Sequence, residues 1–242
     1  MSDPGHRIRR EPSDCRSMVL CATAASLGCC GAVHADEADL SLGLASSTVL
    51  RGVVLGELTA RSTSGYRTAA GWLTSLGVAA LQSPARYDKW DAQLSLKFGH
   101  ARVLNADWAW QAAYTHHAYP ASERLRSYAH HELGTTLAYR DSLYLSLAGL
   151  RNVHTFGESH TSVAYEVVAT HPLHSGLSAT AGIGYRDTLH AGSDHAYGHA
   201  GISVRWAGAQ ADLLYIAADH AARRRLGAAA ARRWVGGLTW QF

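Results

Sequence analysis

Hydrophobic and polar residues alternate one by one along most of the chain beyond residue 36. In the segment 90–98 (WDAQLSLKF) every even-numbered residue is apolar and every odd-numbered residue is polar. The segments 38–46 (ADLSLGLAS) and 177–186 (LSATAGIGYR) show the same split, with small or polar residues on the second face. A period of two is the side-chain repeat of a β-strand, and a helix with 3.6 residues per turn would not separate these residues in this way. The pattern therefore predicts strands with one apolar and one polar face.

About twelve segments show this alternation, which suits an antiparallel sheet closed into a barrel. The predicted strands span 38–50, 62–69, 72–82, 89–100, 107–117, 127–140, 142–152, 161–170, 176–187, 196–206, 210–219 and 232–242. The connections between them alternate in length, from short ones such as 69–71 and 140–142 to long polar ones such as 219–231. Outer-membrane barrels have short periplasmic turns and longer outer loops. The predicted fold class is therefore all-β, a transmembrane antiparallel up-and-down β-barrel of about 12 strands.

Aromatic residues of the apolar faces fall near the predicted strand ends. Amphipathic rings prefer the two interfaces of a bilayer, so this placement predicts two aromatic girdles. A soluble β-sandwich or lipocalin-like barrel would also alternate, but with its apolar face inward. Strands of about 10 residues, the length needed to cross at a tilt, favour the membrane barrel. The predicted membrane-interface aromatics are Trp72, Trp90, Trp108, Tyr139, Tyr185, Trp206, Tyr215, Trp234, Trp240 and Phe242.

Residues 1–35 have the features of an export signal. Four arginines precede the small and apolar run 18–33 (MVLCATAASLGCCGAV), and Ala35 is a small residue where a signal peptidase can cleave. We therefore predict a signal peptide over 1–35 and one outer-membrane barrel domain over 36–242. A buried helix of a cytosolic domain is the alternative, and Met18 is an alternative start of the chain.

Composition adds two points to this interpretation. All four cysteines precede residue 36, which suits a mature chain that crosses an oxidising compartment unfolded. A lipoprotein anchor at Cys29 or Cys30 is less favoured, because neither follows a Leu-small-small sequence. Residues 1–35 hold four of the 22 basic and three of the 19 acidic residues, which leaves 18 and 16. A nearly neutral chain does not favour nucleic acid as a partner.

The segment 38–57 (ADLSLGLASSTVLRGVVLGE), the short turns after it and the final aromatic residue resemble the TorF-type family of porins from Gram-negative bacteria. The resemblance covers essentially the whole mature chain and implies a barrel in the cell outer membrane. It also implies that the barrel-assembly machinery recognises the C-terminal strand ending in Phe242. The chain departs from the family pattern at Thr48 and Leu50, where aromatics are expected, and at the apolar segment 53–55, where polar residues are usual. A ligand of the first loop is therefore not predicted.

The alternation also assigns the side chains that point away from the lipid. Both signs of charge occur among them, so they either line a water-filled passage or pair with one another and fill the lumen. The sequence leaves both alternatives open. Since Lys97, Arg186 and Arg205 belong to the set, an open passage would favour anions weakly. The predicted pore-lining residues are Arg51, Gln93, Lys97, Gln111, Glu132, Tyr144, Glu166, Arg186, Arg205 and Asp212.

The predicted function is passive or weakly selective passage of small hydrophilic solutes, without a cofactor. The expected surroundings are outer-membrane lipid and lipopolysaccharide, whose phosphates the arginines of 222–234 could contact, although a solvated loop is favoured. The alternative is a closed barrel with a structural or binding role, or a lipid-modifying enzyme. His131 with Ser127 on the lipid-facing side is the candidate pair for an enzyme, with Thr115 or Ser162 as a neighbouring partner. No third orienting group is marked, so we predict no catalytic residues.

The predicted mature chain carries thirteen histidines, since two of the 15 precede residue 36. Imidazoles bind zinc and copper. No HxH or HExxH spacing occurs, however, and neighbours such as His116 and His117 should point to opposite faces of a strand. The sequence therefore predicts no metal site. The histidines of the predicted outer rim are His116, His117, His130, His131, His154, His160, His190, His195 and His220.

Overall fold

The computed structural model describes residues 36–84, 86–120, 122–153, 161–189 and 194–242. The predicted signal peptide lies outside the described residues. Twelve strands form a closed antiparallel barrel, as predicted, and two short strands form a separate hairpin. The barrel strands are β1 (Glu37–Ala45), β4 (Thr59–Arg67), β5 (Trp72–Ser83), β6 (Arg86–Val103), β7 (Trp108–Ala118), β8 (His130–Tyr139), β9 (Leu143–Asn152), β10 (Thr161–His174), β11 (Leu177–Leu189), β12 (His195–Trp206), β13 (Ala209–Ala218) and β14 (Arg232–Gln241), and the hairpin strands are β2 (Thr48–Leu50) and β3 (Val53–Gly56).

Within the described residues, helical structure occurs only in the connections between strands. A short helix, α1 (His220–Leu226), and 3₁₀ turns at Arg126–Tyr128 and Gly227–Ala229 lie in the long loops. Among the described helices, none is long and apolar enough to cross a membrane.

The first and last barrel strands close the sheet. In the β1–β14 pairing Leu42 lies opposite Trp240, and the pairing continues beyond the last strand residue. The Phe242 N–H donates to the Leu40 carbonyl at 2.9 Å, and the Leu40 N–H donates back to the Phe242 carbonyl at 3.3 Å. This seam confirms the predicted closure and leaves no open sheet edge, which lipid could not satisfy.

The apolar face of the barrel points outward. Leu133 is 68% exposed and Ile183 is 72% exposed, whereas the alternate positions Ser41, Gln111 and Thr136 are buried. A soluble barrel would show the opposite arrangement. The exposed apolar band is therefore the lipid-facing wall of a membrane barrel.

Two-residue turns close several hairpins at the end of the barrel that carries both termini. Arg140 and Asp141 have φ of 47° and 53°, and Ala207 and Gly208 have φ of 40° and 80°. Left-handed residues at both central positions match the twist of the flanking strands. Most of the longer connections lie at the opposite end. Two predicted connections are wrong in length, because β5 and β6 continue to within two residues of each other at 84–85, and β10 continues through the predicted turn 171–176 as far as His174.

Candidate functional site in the barrel lumen

The connection between β1 and β4 folds into the barrel rather than extending from it. The sequence predicts one strand over 38–50 and a polar outer loop after it, and this prediction is wrong. The wall strand β1 ends at Ala45, and the apolar residues that follow form the β2–β3 hairpin, all but one of whose residues are buried. Arg51 and Gly52 form its turn with φ of 47° and 79°. An apolar hairpin of this kind is stable only when it packs against other apolar groups, and the lumen wall provides them.

Two groups of buried apolar side chains hold the hairpin in place. One side of the hairpin packs against inward-facing residues of β13 and β14. The other side packs against β5 and the β7–β8 loop. The first group consists of Val49, Val54, Leu214, Ile216, Ala231 and Val235. The second consists of Leu50, Val53, Leu55, Leu81, Tyr119, Leu125 and Ala129.

Hydrogen bonds and an ion pair also fix the orientation of the hairpin. Arg233 Nη1 lies 2.7 Å from both carboxylate oxygens of Glu57. Arg124 Nη2 donates to the Leu55 carbonyl at 2.7 Å, and the Ala231 N–H donates to the Gly52 carbonyl at 2.7 Å. The turn itself has little room, since a Cβ added at Gly52 would lie 2.8 Å from the Cβ of Tyr197. The hairpin is thus fixed across the long-loop end of the lumen.

The turn of the hairpin places Arg51 among the charged groups of the wall. Arg51 is 4% exposed, and its Nη2 lies 2.9 Å from Glu132 Oε1 on β8. The Arg51 carbonyl lies 2.9 Å from Nε2 of His195. The guanidinium also interacts electrostatically with Glu166 and Arg186 on the facing strands. Arg51 therefore reaches the lumen from the turn of the hairpin, whereas the sequence placed it directly after the predicted wall strand 38–50.

The structure places the other predicted pore-lining residues on inward-facing positions, in two groups. Near the hairpin, Gln93 Nε2 donates to the Tyr119 hydroxyl at 3.3 Å, and Arg186 Nε donates to Ser162 Oγ at 3.2 Å. Glu166 is buried here, and Lys97 interacts electrostatically with Glu132. Gln111 is also buried, but it lies farther towards the short-turn end, where it pairs with Thr136.

The second group lies towards the short-turn end. Asp212 accepts hydrogen bonds from Ser203 Oγ and, at 2.9 Å, from Gln210 Nε2. Arg205 is exposed at this mouth, and the Tyr144 hydroxyl donates to the Asp141 carbonyl at 3.0 Å. These three predicted residues are thus separated from the charged group around Arg51.

The predicted interface aromatics lie at the two ends of the outer wall. At the short-turn end Trp108 and Tyr139 are direct cross-strand partners with ring centroids 4.9 Å apart. At the long-loop end Tyr215 and Trp234 pair in the same way at 5.3 Å. Aromatic rings at the two ends of the outer wall suit the two interfaces of a bilayer. The other members that are exposed to the outside are Trp72, Trp90, Tyr185, Trp206, Trp240 and Phe242.

Outside the spanning segments, Asp219 caps α1 and ties it to β12. Its Oδ1 accepts from the Ala222 N–H at 2.7 Å and its Oδ2 from the Ala196 N–H at 3.0 Å. Partial burial acts to raise the pKa of Asp219, but these hydrogen bonds favour the carboxylate and hold the pKa below its usual value.

The alternative catalytic pair does not form. Ser127 lies in the 3₁₀ turn before β8, not on the strand that carries His131. The His131 ring instead contacts Tyr114 and His116 on the outer face. Sequence reasoning also missed Glu57, Arg233 and Tyr197 as residues that seat the hairpin. The Arg51-Gly52 pair between two apolar runs was the available signal for this hairpin, since left-handed turn positions favour glycine.

Comparisons with known proteins agree with this fold. No family model and no curated protein matches the chain. Among solved structures, the KdgM porin in complex with disordered oligogalacturonate superposes with a TM-score of 0.52 at 10% identity, over 85% of this chain and 98% of that one. The NanC porin superposes with a TM-score of 0.53 at 10% identity, over the same shares. LpxR from Salmonella typhimurium is less similar, with a TM-score of 0.46. The chain thus has the closed antiparallel barrel fold of these outer-membrane porins.

Proposed function

We propose that the protein is a porin-like barrel of the cell outer membrane that passes small hydrophilic solutes, with a weak preference for anions, through a lumen narrowed by the β2–β3 hairpin. The observation that carries the proposal is the inward-facing set of polar and charged side chains, opposite an outward apolar wall. Charged side chains of both signs inside a lumen require either water or an ion-pair partner. The fold shared with the KdgM and NanC porins supports the same function.

The weak anion preference follows from the charges near the hairpin. Arg51, Lys97 and Arg186 carry positive charge there, and Glu132 and Glu166 oppose them. The Arg51–Glu132 ion pair cancels one charge of each sign. Lys97 and Arg186 are then opposed by the Glu166 carboxyl group alone, which leaves a net positive charge. A narrow lumen with a net positive charge concentrates anions.

Conductance in planar bilayers under a KCl gradient tests this proposal. We expect small channels whose reversal potential indicates weak anion preference, and Lys97→Glu should shift that potential towards cations. Gly52→Ala should raise conductance, because an added Cβ at a φ of 79° and against Tyr197 loosens the hairpin. Gly149→Ala is the matched control, since its added Cβ would meet nothing within 4 Å.

A closed barrel with a structural or binding role is the second candidate, and the apolar packing of the hairpin across the lumen favours it. Absence of channels in both the unaltered protein and Gly52→Ala would support this alternative and contradict the porin proposal. Strong cation preference would contradict the charge argument alone.

The proposal includes the surroundings of the barrel. We place it in the outer membrane after removal of residues 1–35, with lipid and lipopolysaccharide around the exposed apolar wall. Membership of the TorF-type family rests on the segment 38–57 and the final aromatic residue. The proposed recognition by the barrel-assembly machinery rests on β14 and on Phe242, which follows β14 directly and ends the closing seam.

A further inference from the structure

Two inward-facing histidines and a glutamate meet on the lumen wall beside the hairpin. His117 of β7 and His130 of β8 are direct cross-strand partners, with ring centroids 4.8 Å apart and planes 29° apart. Glu132 follows on the same face of β8. One ligand atom from each of the three residues lies within 4.8 Å of the others. This set is independent of the proposed transport function.

The donor atoms of this set are available. His130 is 3% exposed, and its Nδ1 lies 2.6 Å from the Tyr128 carbonyl. Nδ1 therefore donates its proton to that carbonyl, which leaves the Nε2 lone pair free. Among the described residues, neither His130 Nε2 nor Glu132 Oε2 has a hydrogen-bond partner, and both atoms are buried. Buried polar atoms of this kind require an explanation, and a shared ligand supplies one.

One of the three ligand pairs already has nearly the spacing of a tetrahedral metal centre, and all three ligand atoms lie within 4.8 Å of one another. Bonds of about 2.0–2.2 Å to nitrogen and oxygen place neighbouring ligand atoms about 3.3–3.5 Å apart. His130 Nε2 and Glu132 Oε2 are 3.6 Å apart. We propose that His117, His130 and Glu132 bind a divalent transition-metal ion such as zinc, with the fourth position open to the lumen.

Neighbouring groups hold these ligands in place and limit the affinity. The side-chain amide of Gln93 lies 3.4 Å from Nδ1 of His117; with its oxygen turned to the ring, the amide accepts from Nδ1–H and leaves Nε2 for the metal. Arg51 contacts the other oxygen of Glu132 at 2.9 Å. Its positive charge orients the carboxylate and also repels a cation, so the site exchanges its metal more readily than a structural zinc centre does.

Calorimetry with zinc chloride on the refolded chain 36–242 in detergent micelles tests the site. We expect one ion per barrel. His117→Ala and His130→Ala should each weaken binding by more than about 100-fold, because loss of a ligand exceeds the 10- to 100-fold effect of losing an outer-shell partner. Glu132→Gln should also weaken zinc binding by more than about 100-fold, although the glutamine side chain still offers Arg51 a polar partner. Cobalt absorption spectra of the same samples report whether the coordination is tetrahedral.

His116→Ala and His131→Ala are matched controls, because these residues belong to the same two strands but face outward. They should leave zinc binding unchanged. The proposal is overturned by the absence of a saturable site, by loss of binding in the outward pair instead, or by unchanged binding in Glu132→Gln. Circular dichroism checks folding of each variant, and if His130→Ala does not refold, His117→Ala and Glu132→Gln decide.

Discussion

At the scale of single residues, Asp219 joins two backbone segments at the long-loop end, and its removal has a predictable cost. An N-cap carboxylate replaced by alanine costs about 1 kcal/mol, which corresponds to roughly fivefold faster local opening. We expect Asp219→Ala to accelerate amide hydrogen exchange at Ala222 and Ala196 by this factor. Because the pKa of Asp219 is lower in the folded than in the unfolded chain, this stabilisation is present above the unfolded value and is lost as pH falls through the folded value.

The control for this change is Asp88→Ala, at an exposed position of β6 towards the same end of the barrel. It should leave exchange at Ala222 and Ala196 unchanged at every pH. Equal exchange rates in Asp219→Ala and the unaltered protein near neutral pH would show that the carboxylate does not cap α1.

At the scale of elements, the wall strands follow from the sequence but the hairpin does not. Alternation over 90–98 or 177–186 fixes which residues share a face, and the closing β1–β14 pairing follows from the need to satisfy every edge. The residues 49–50 and 53–55, on either side of Arg51 and Gly52, are apolar at consecutive positions, so periodicity cannot distinguish a continued strand from a hairpin that is buried on both sides. The inward placement depends on distant partners such as Leu214 and Leu81, which no local pattern reveals.

The candidate metal site could likewise be predicted only in part from the sequence. Alternation correctly separates His117 from His116 and His130 from His131. The convergence of His117 with His130 depends on the register between β7 and β8, however, and that register depends on the length of the intervening loop and on packing around it.

The closing strand provides a prediction at the element scale. Removal of Phe242 deletes both seam hydrogen bonds with Leu40 and a ring that is 73% exposed to the outside. We expect slower folding into lipid vesicles, measured by the heat-modifiable mobility of folded barrels in gels. Phe242→Tyr keeps the backbone and an interfacial ring, so it should fold at the original rate. Unchanged folding after the deletion would show that β1 and β14 close without this residue.

At the scale of the whole molecule, the outward apolar wall contacts either lipid or water, and one substitution distinguishes these two environments. Ile183 lies at the middle of β11 and faces outward. An arginine at the bilayer midplane costs about 2–4 kcal/mol, whereas the same residue on a water-exposed surface is nearly neutral. Ile183→Arg should therefore lower the free energy of unfolding by that amount when urea unfolding is measured in lipid bilayers, and Ile183→Leu should leave it unchanged. Equal stabilities of Ile183→Arg and Ile183→Leu would mean that this face does not meet hydrocarbon, and the membrane barrel would have to be rejected even though its strands close as described.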